Sequence, residues 1–106
     1  MPAVARKDGK DTVKTGHTTC DKTTVTDIGS TDVFVNGIGA CRKDDKLKDH
    51  TKPEGKSCVT HTSYINSGSS TVYVNGHPIA RNGDSADEGS ITSGSKNVFA
   101  GPDISG

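Results

Sequence analysis

Apolar residues are sparse along this chain, and they recur at repeated positions. The string Gly-Ser-x-x-Val-aromatic occurs three times, at 29–34, 68–73 and 94–99. No segment shows sustained helical periodicity, and residues 11–27 are rich in Thr, which favours strands over helices. The pattern therefore predicts a small all-β domain that is built on an internal repeat.

Two copies of the string run directly into a hairpin signal. Residues 33–35 and 72–74 are strong β formers, and Asn-Gly follows each of them. Asn-Gly supplies the positive φ angles of a type I′ turn, so the return strands are predicted at 38–41 and 78–81. One hairpin cannot bury its own face, whereas three similar hairpins around an axis can. We expect the Val and aromatic residues of the three copies to meet inside.

The loops between the copies carry most of the candidate chemistry. The longest loops belong to the first two blocks, and they contain three of the four histidines and two of the three cysteines. Repeat proteins often place their insertions on one face. We therefore expect these His and Cys side chains to converge at one end of the domain.

The composition limits the size of the core. The chain has 106 residues, which suits a single domain over 1–106, and only 28% of them are hydrophobic, with no Trp. Small domains with so thin a core usually need a metal, disulfides or a partner chain. Disordered chains usually also carry a high net charge, but here 13 basic residues balance 13 acidic ones. The same balance argues against a nucleic-acid partner.

The cysteines are interpreted together with the lack of a secretion signal. No apolar stretch is long enough for a signal peptide or a membrane span, so we expect synthesis in the cytoplasm and export, if any, by another route. Three cysteines, Cys20, Cys41 and Cys58, are an odd number, and a disulfide framework is not expected in this context. Cys41 lies in a predicted strand and is expected to be a buried free thiol.

Two short pairs of His and Cys suggest a metal site. His17-Thr-Thr-Cys20 and Cys58-Val-Thr-His61 each place an imidazole and a thiol three residues apart, and His50 precedes Cys58 by eight residues. Zinc favours imidazole and thiolate ligands in a tetrahedral set of four. From spacing alone, a zinc site and an ordinary filler role for these residues are equally open. The thin core favours zinc, because a structural zinc supplies folding energy.

The remaining polar residues have simpler interpretations. His77 follows an Asn-Gly turn and is expected to be exposed. Asp84, Asp87 and Glu88 lie in an ordinary turn sequence and are expected to be structural or solvated. The chain has no G-x-S-x-G motif, no Walker loop and no Rossmann glycine set, so no catalytic residue is assigned.

Several segments together resemble PAAR-repeat proteins over nearly the whole chain. Residues 2–6, Pro-Ala-Val-Ala-Arg, and 77–84, His-Pro-Ile-Ala-Arg-Asn-Gly-Asp, look like the Pro-Ala-Ala-Arg motif and its Gly-Asp extension. The Val-Phe-Val-Asn-Gly and Val-Tyr-Val-Asn-Gly strands and the closing segment 94–101 are also similar to that family. The second block departs from the pattern at 39–45, and the third loop, 85–90, lacks the cysteine often found there.

The resemblance implies a fold and a ligand set. The fold is a sharp, pseudo-threefold cone of short β-hairpins with a blunt triangular base and a metal near the apex. The metal is a structural zinc held by three His and one Cys, and the sequence does not distinguish it from iron. The positions that correspond to the family's ligands are His17, His50, Cys58 and His61, with Cys20 in reserve, mainly against His50.

The resemblance also implies a role. Such a protein caps the trimeric β-helical central spike of a contractile injection machine and sharpens it for puncturing a target cell envelope. One monomer would bind one spike trimer through its base and touch the target outer membrane only transiently. The host device would be a phage tail baseplate, which makes this a virion protein, or a type VI secretion system. Such proteins are not enzymes unless they are fused to a toxin domain; the rival interpretations are a free-standing zinc-binding adaptor and a small metalloenzyme.

Overall fold

A computed structural model describes residues 1–104, and every regular element in that range is a short β-strand. The last two residues of the expected domain lie outside the described residues. The ten strands are β1 (Thr12–Lys14), β2 (Thr23–Val25), β3 (Phe34–Val35), β4 (Ile38–Gly39), β5 (His50–Glu54), β6 (Ser57–His61), β7 (Tyr73–Val74), β8 (His77–Pro78), β9 (Ser85–Ala86) and β10 (Gly89–Ile91). The predicted all-β class is confirmed, and over 1–104 there is no helix that could span a membrane.

The two predicted Asn-Gly turns are present. Asn36 and Gly37 have φ angles of 56° and 78°, and Asn75 and Gly76 have 53° and 80°, as a type I′ turn requires. The strands pair antiparallel, β3 with β4 and β7 with β8. The return strands are shorter than predicted because the chain leaves each hairpin after two residues and bridges to a neighbouring repeat, Ala40 to Arg6 and Ile79 to Arg42.

The third copy of the string has no turn of its own and pairs with the N-terminal segment instead. Phe99 bridges Ala3, and the backbone N–H of Val4 donates to the Val98 carbonyl over 3.0 Å. The equivalent bond closes the other two hairpins, from Ala40 to Val33 and from Ile79 to Val72, each over 3.0 Å. The two ends of the chain thus form the third hairpin together. The remaining strands form the pair β5–β6 and a four-stranded sheet in the order β2-β1-β10-β9.

A closed ring of backbone hydrogen bonds defines the pseudo-threefold axis. Ala5 donates to Ala80 over 3.0 Å, Ala80 to Cys41 over 2.9 Å, and Cys41 to Ala5 over 2.9 Å. All three residues are fully buried. Small side chains suit the ring, because three of them meet where the repeats converge. The prediction that Cys41 is a buried free thiol is confirmed.

One Arg–Asp pair per repeat supports this ring. In each pair, one carboxylate oxygen accepts from the backbone N–H and Nε of the arginine, and the other accepts from Nη2. The pairs are Arg6–Asp11, Arg42–Asp45 and Arg81–Asp84. Bidentate charge-assisted bonds of this kind fix geometry as well as adding stability. Asp84 therefore has the structural role that its turn sequence predicted.

The core has two layers, and the aromatic residues lie outside both. One cluster contains aliphatic residues from the three hairpins, Val4, Val35, Ala40, Val74, Ile79 and Ala100. The other lies around the ring and the four-stranded sheet, and contains Ala5, Val13, Cys41, Leu47, Ile65, Ala80, Ala86 and Ile91. The prediction that the aromatics meet inside is wrong: Phe34, Tyr73 and Phe99 are 56%, 56% and 51% exposed. Successive side chains on a strand point to opposite faces. Because Val35 and Val74 are buried, the aromatic residue before each of them points to solvent.

Candidate metal centre

Three histidines and one aspartate converge at one place in the fold. One ligand atom from each of His17, His50, His61 and Asp87 lies within 4.8 Å of the others. His50 and His61 are directly opposed on β5 and β6, so the hairpin register itself brings their side chains together. His17 comes from the loop after β1, and Asp87 from the turn between β9 and β10.

Backbone contacts bring the His17 loop against the Asp87 turn. The N–H of Glu88 donates to the Thr15 carbonyl over 3.0 Å. Gly16 has a φ of +87°, and a Cβ there would clash with the Glu88 backbone, so only glycine allows this approach. Asp87 itself has a positive φ of 53°, a conformation that Asp tolerates better than most residues.

All three imidazoles direct Nε2 at the Asp87 carboxylate. Oδ1 lies 3.3 Å from Nε2 of His17 and 3.2 Å from Nε2 of His61. Oδ2 lies 2.6 Å from Nε2 of His50 and accepts from Ser63 Oγ over 3.1 Å. The carboxylate is only 2% exposed, and the most open ring, that of His61, is 23% exposed. The site is therefore a largely buried N₃O cluster.

Both ring nitrogens of His50 face hydrogen-bond acceptors, the Lys48 carbonyl and the Asp87 carboxylate. Nδ1 of His50 lies 2.7 Å from the Lys48 carbonyl, which can only accept. A neutral imidazole has one N–H, so a ring that donates to this carbonyl has only a lone pair to direct at Asp87. A cation at the Nε2 side resolves the conflict. Second-shell carbonyls commonly orient metal-binding histidines in this way.

The Asp87 carboxylate is the anionic member of the cluster. Burial by itself would raise the pKa of Asp87, but in the metal-free cluster the contacts of its carboxylate with His50, His61 and Ser63 together hold that pKa below its usual range. An ionised carboxylate and imidazole nitrogens are ligands that zinc accepts in tetrahedral sites, and imidazole with carboxylate also suits iron. In a tetrahedral set with ligands at 2.0–2.1 Å, neighbouring ligand atoms lie about 3.3 Å apart, close to the His17 and His61 contacts with Asp87. The four residues fit a divalent metal.

The two cysteines of the predicted pairs are bonded to each other. Cys20 and Cys58 form a disulfide with a Cα–Cα distance of 5.7 Å, so the expectation of no disulfide is wrong. Cys58 was a predicted ligand and Cys20 was the reserve, mainly against His50, but disulfide sulfurs offer no thiolate to a metal. The structure brings together His17, His50 and His61 from the predicted set, and it has Asp87 beside them rather than Cys58.

Sequence reasoning missed Asp87 and treated His77 correctly. Asp87 was expected to be structural or solvated because its neighbours are typical turn residues. A usable signal was its position in the third loop, where the resemblance predicts a cysteine and this chain has none. His77 lies exposed at the start of β8, as predicted, and Glu88 is exposed beside Asp87.

A family model described as PAAR motif matches residues 15–90, a span that includes all four residues of the cluster. No curated protein matches the chain.

Proposed function

The chain belongs to the PAAR-motif family of structural spike-tip proteins of contractile injection systems, and we propose that it caps the trimeric β-helical central spike of a phage tail baseplate. The tip of a type VI secretion spike is the alternative host device. In either device the chain would form a single domain over 1–106 and help to puncture the target cell envelope.

The pseudo-threefold ring is the observation that carries this proposal. The hydrogen bonds among Ala5, Cys41 and Ala80 relate three hairpins within one chain. A single chain with this internal symmetry can meet a true threefold end, one hairpin against each spike chain. One monomer per spike trimer follows from that match.

Three exposed aromatics follow the same threefold repeat. Phe34, Tyr73 and Phe99 occupy the same position in the three copies of the repeated string, and each is more than half exposed. Val33 and Val72 beside them are partly exposed as well. Exposed apolar groups that recur together mark interaction sites on small proteins. We assign the spike contact to this aromatic triad, together with the valines.

The metal centre would stiffen a different part of the molecule. His17, His50, His61 and Asp87 would hold zinc, or iron in its place, and the bound ion would supply a cross-link among three segments that share little apolar core. Four protein ligands make a closed, structural site, whereas a catalytic zinc keeps a position open for water. The arrangement therefore favours the spike tip over a small metalloenzyme.

The hairpin β5–β6 carries two of the four residues of the cluster. His50 and His61 form the pair at its open end, and the strands run on for four more residue pairs to Glu54 and Ser57. The molecule measures 41 × 29 × 23 Å. We propose that the end with the cluster and this hairpin leads into the target, while the aromatic triad faces the spike.

Binding to a spike tests the proposal. The purified chain should bind the trimeric β-helical spike from the same injection system with one chain per trimer, measured by light scattering. Phe34→Ser combined with Tyr73→Ser should weaken binding at least tenfold. Tyr64→Ser is the matched control, since Tyr64 is also an exposed aromatic but lies outside the triad. A folded chain that binds no such spike would refute the spike-tip role and leave the zinc-binding adaptor as the better account. Recovery of the chain in purified phage particles, rather than in a secretion apparatus, decides between the two devices.

A further inference from the structure

The Cys20–Cys58 disulfide links two segments that each carry a histidine of the metal centre. His17 lies three residues before Cys20, and His61 lies three residues after Cys58. The bond therefore connects the two His/Cys pairs of the sequence to each other. It forms a short covalent path from one imidazole of the cluster to another.

Besides the disulfide, the contacts nearest to Cys20 that reach the hairpin are hydrogen bonds between Asp21 and Thr51; farther from Cys20, the Lys48 N–H donates to the Val25 carbonyl over 3.0 Å. The backbone N–H and Oγ1 of Thr51 donate to Asp21 Oδ2 over 2.7 and 2.9 Å, at an exposed position. The Asp21 N–H donates to the Thr51 carbonyl over 3.3 Å. In the described part of the chain, β5 and β6 form a two-stranded sheet without a third strand. Because exposed hydrogen bonds exchange readily with water, the disulfide is the durable link.

The bond is open to thiol reagents, whereas the third cysteine is not. Cys58 is exposed and Cys20 is half-buried. Cys41 is fully buried in the backbone ring, and burial raises the pKa of its thiol, which suppresses the reactive thiolate. A small thiol or disulfide therefore acts on the Cys20–Cys58 pair and leaves Cys41 alone.

We propose that the Cys20–Cys58 pair is a redox clasp on the metal centre, so that closing the bond slows the loss of metal and opening it speeds that loss. This inference rests on the proposed metal centre formed by His17, His50, His61 and Asp87. With the clasp closed, an imidazole that leaves the metal stays near it, and its high effective concentration favours rebinding. With the clasp open, the His17 loop and the hairpin with His61 separate more easily.

The closing step is a thiol–disulfide exchange with a low-molecular-weight disulfide such as oxidised glutathione. The Cys20 and Cys58 thiols lose two electrons and two protons and form one S–S bond. The reagent's S–S bond breaks, and it leaves as two thiols. A chain made in a reducing compartment carries the open clasp and closes it on reaching an oxidising one.

Zinc release from the full chain tests the clasp. The oxidised and the phosphine-reduced protein are each loaded with zinc, challenged with excess chelator and followed with a fluorescent zinc indicator. We expect roughly tenfold faster release from the reduced chain, in line with the loss of a short tether. The double variant Cys20→Ser/Cys58→Ser should release zinc at the reduced rate with or without phosphine. Mass spectrometry after denaturing alkylation should find Cys41 free throughout.

The outcomes separate the clasp from the metal centre. Equal release from the oxidised and reduced chains overturns the clasp and leaves the metal centre standing. Slower release from the reduced chain also overturns it and points to thiolate ligation by Cys20 or Cys58. A chain that binds no zinc in either state overturns the metal centre and the clasp together. If the double variant fails to fold, as judged by circular dichroism, the comparison of the oxidised and reduced parent chain still decides.

Discussion

The guanidinium of Arg81 and the carboxylate of Asp84 form a bidentate pair, with Nε 3.0 Å from Oδ2 and Nη2 3.1 Å from Oδ1. Both side chains are almost fully buried. The Arg81 backbone N–H also donates to Oδ2, over 2.8 Å, so one carboxylate fixes both the side chain and the main chain of the arginine. The same arrangement occurs in all three repeats, so the pair is part of the pseudo-threefold symmetry of the fold.

Breaking this pair should destabilise the fold far more than breaking an exposed one. Asp84→Asn leaves the buried Arg81 charge uncompensated, which we expect to lower the free energy of unfolding by about 3 kcal/mol. Asp49→Asn is the matched control, because the Asp49–Lys46 pair is much more exposed and its loss should cost far less stability. Urea denaturation of both variants measures the difference. Equal losses would show that the pair has no special role.

Neutralising Asp87 should empty the metal centre. Asp87→Asn removes the anionic ligand and leaves three imidazoles, so metal affinity should fall at least tenfold, within the range seen when metal-site partners are lost. Metal content after dialysis, measured by elemental mass spectrometry, checks this result. Glu88→Gln is the control, because Glu88 is an exposed neighbouring acid outside the cluster. Full metal content in the Asp87→Asn protein would remove Asp87 from the ligand set.

Two histidine variants distinguish a ligand from a surface residue. His61→Ala should lose both the bound metal and several degrees of Tm, because the ion cross-links segments that have little core of their own. His77→Ala should change neither quantity, since His77 is exposed and lies outside the cluster. Calorimetry and metal analysis of the two proteins make the comparison. A His61→Ala protein that keeps its metal and its Tm would contradict the assignment.

The metal-free protein should lose stability in acid through Asp87. The pKa of Asp87 is lower in the folded chain than the value of about 3.9 for an unperturbed Asp. The ionised carboxylate therefore stabilises the fold above that pH, and this contribution disappears as the pH falls through the folded-state pKa. Denaturation at pH 5 and pH 3 should show a larger loss for the parent chain than for Asp87→Asn. Parallel losses in the two proteins would assign the acid sensitivity to other groups.

Short-range features of this fold were predictable because they depend on a few adjacent residues. The Asn36-Gly37 and Asn75-Gly76 turns form because both residues tolerate positive φ, whatever surrounds them. The outward direction of Phe34 was not predictable. It depends on which face of the hairpin meets the small aliphatic residues that the other repeats contribute to the axis.

The metal centre was likewise predictable in part. Convergence of His17, His50 and His61 was predicted from the loops between the repeats. Asp87 was missed because its own neighbours indicate a solvated turn, and its approach to His50 spans 37 residues of sequence. The disulfide was missed because cysteine count and compartment say nothing about which two thiols a fold brings together.

The amino-acid sequence by itself determined the threefold string, its turns, the all-β class and the family. Only the tertiary structure decided that the two chain ends build the third hairpin through Ala3 and Phe99, and that a carboxylate completes the histidine cluster. The physical reason is the sequence separation over which each kind of interaction acts. Backbone preferences act over a few residues, whereas these contacts form only after long loops have closed and compete with every other pairing that the chain allows.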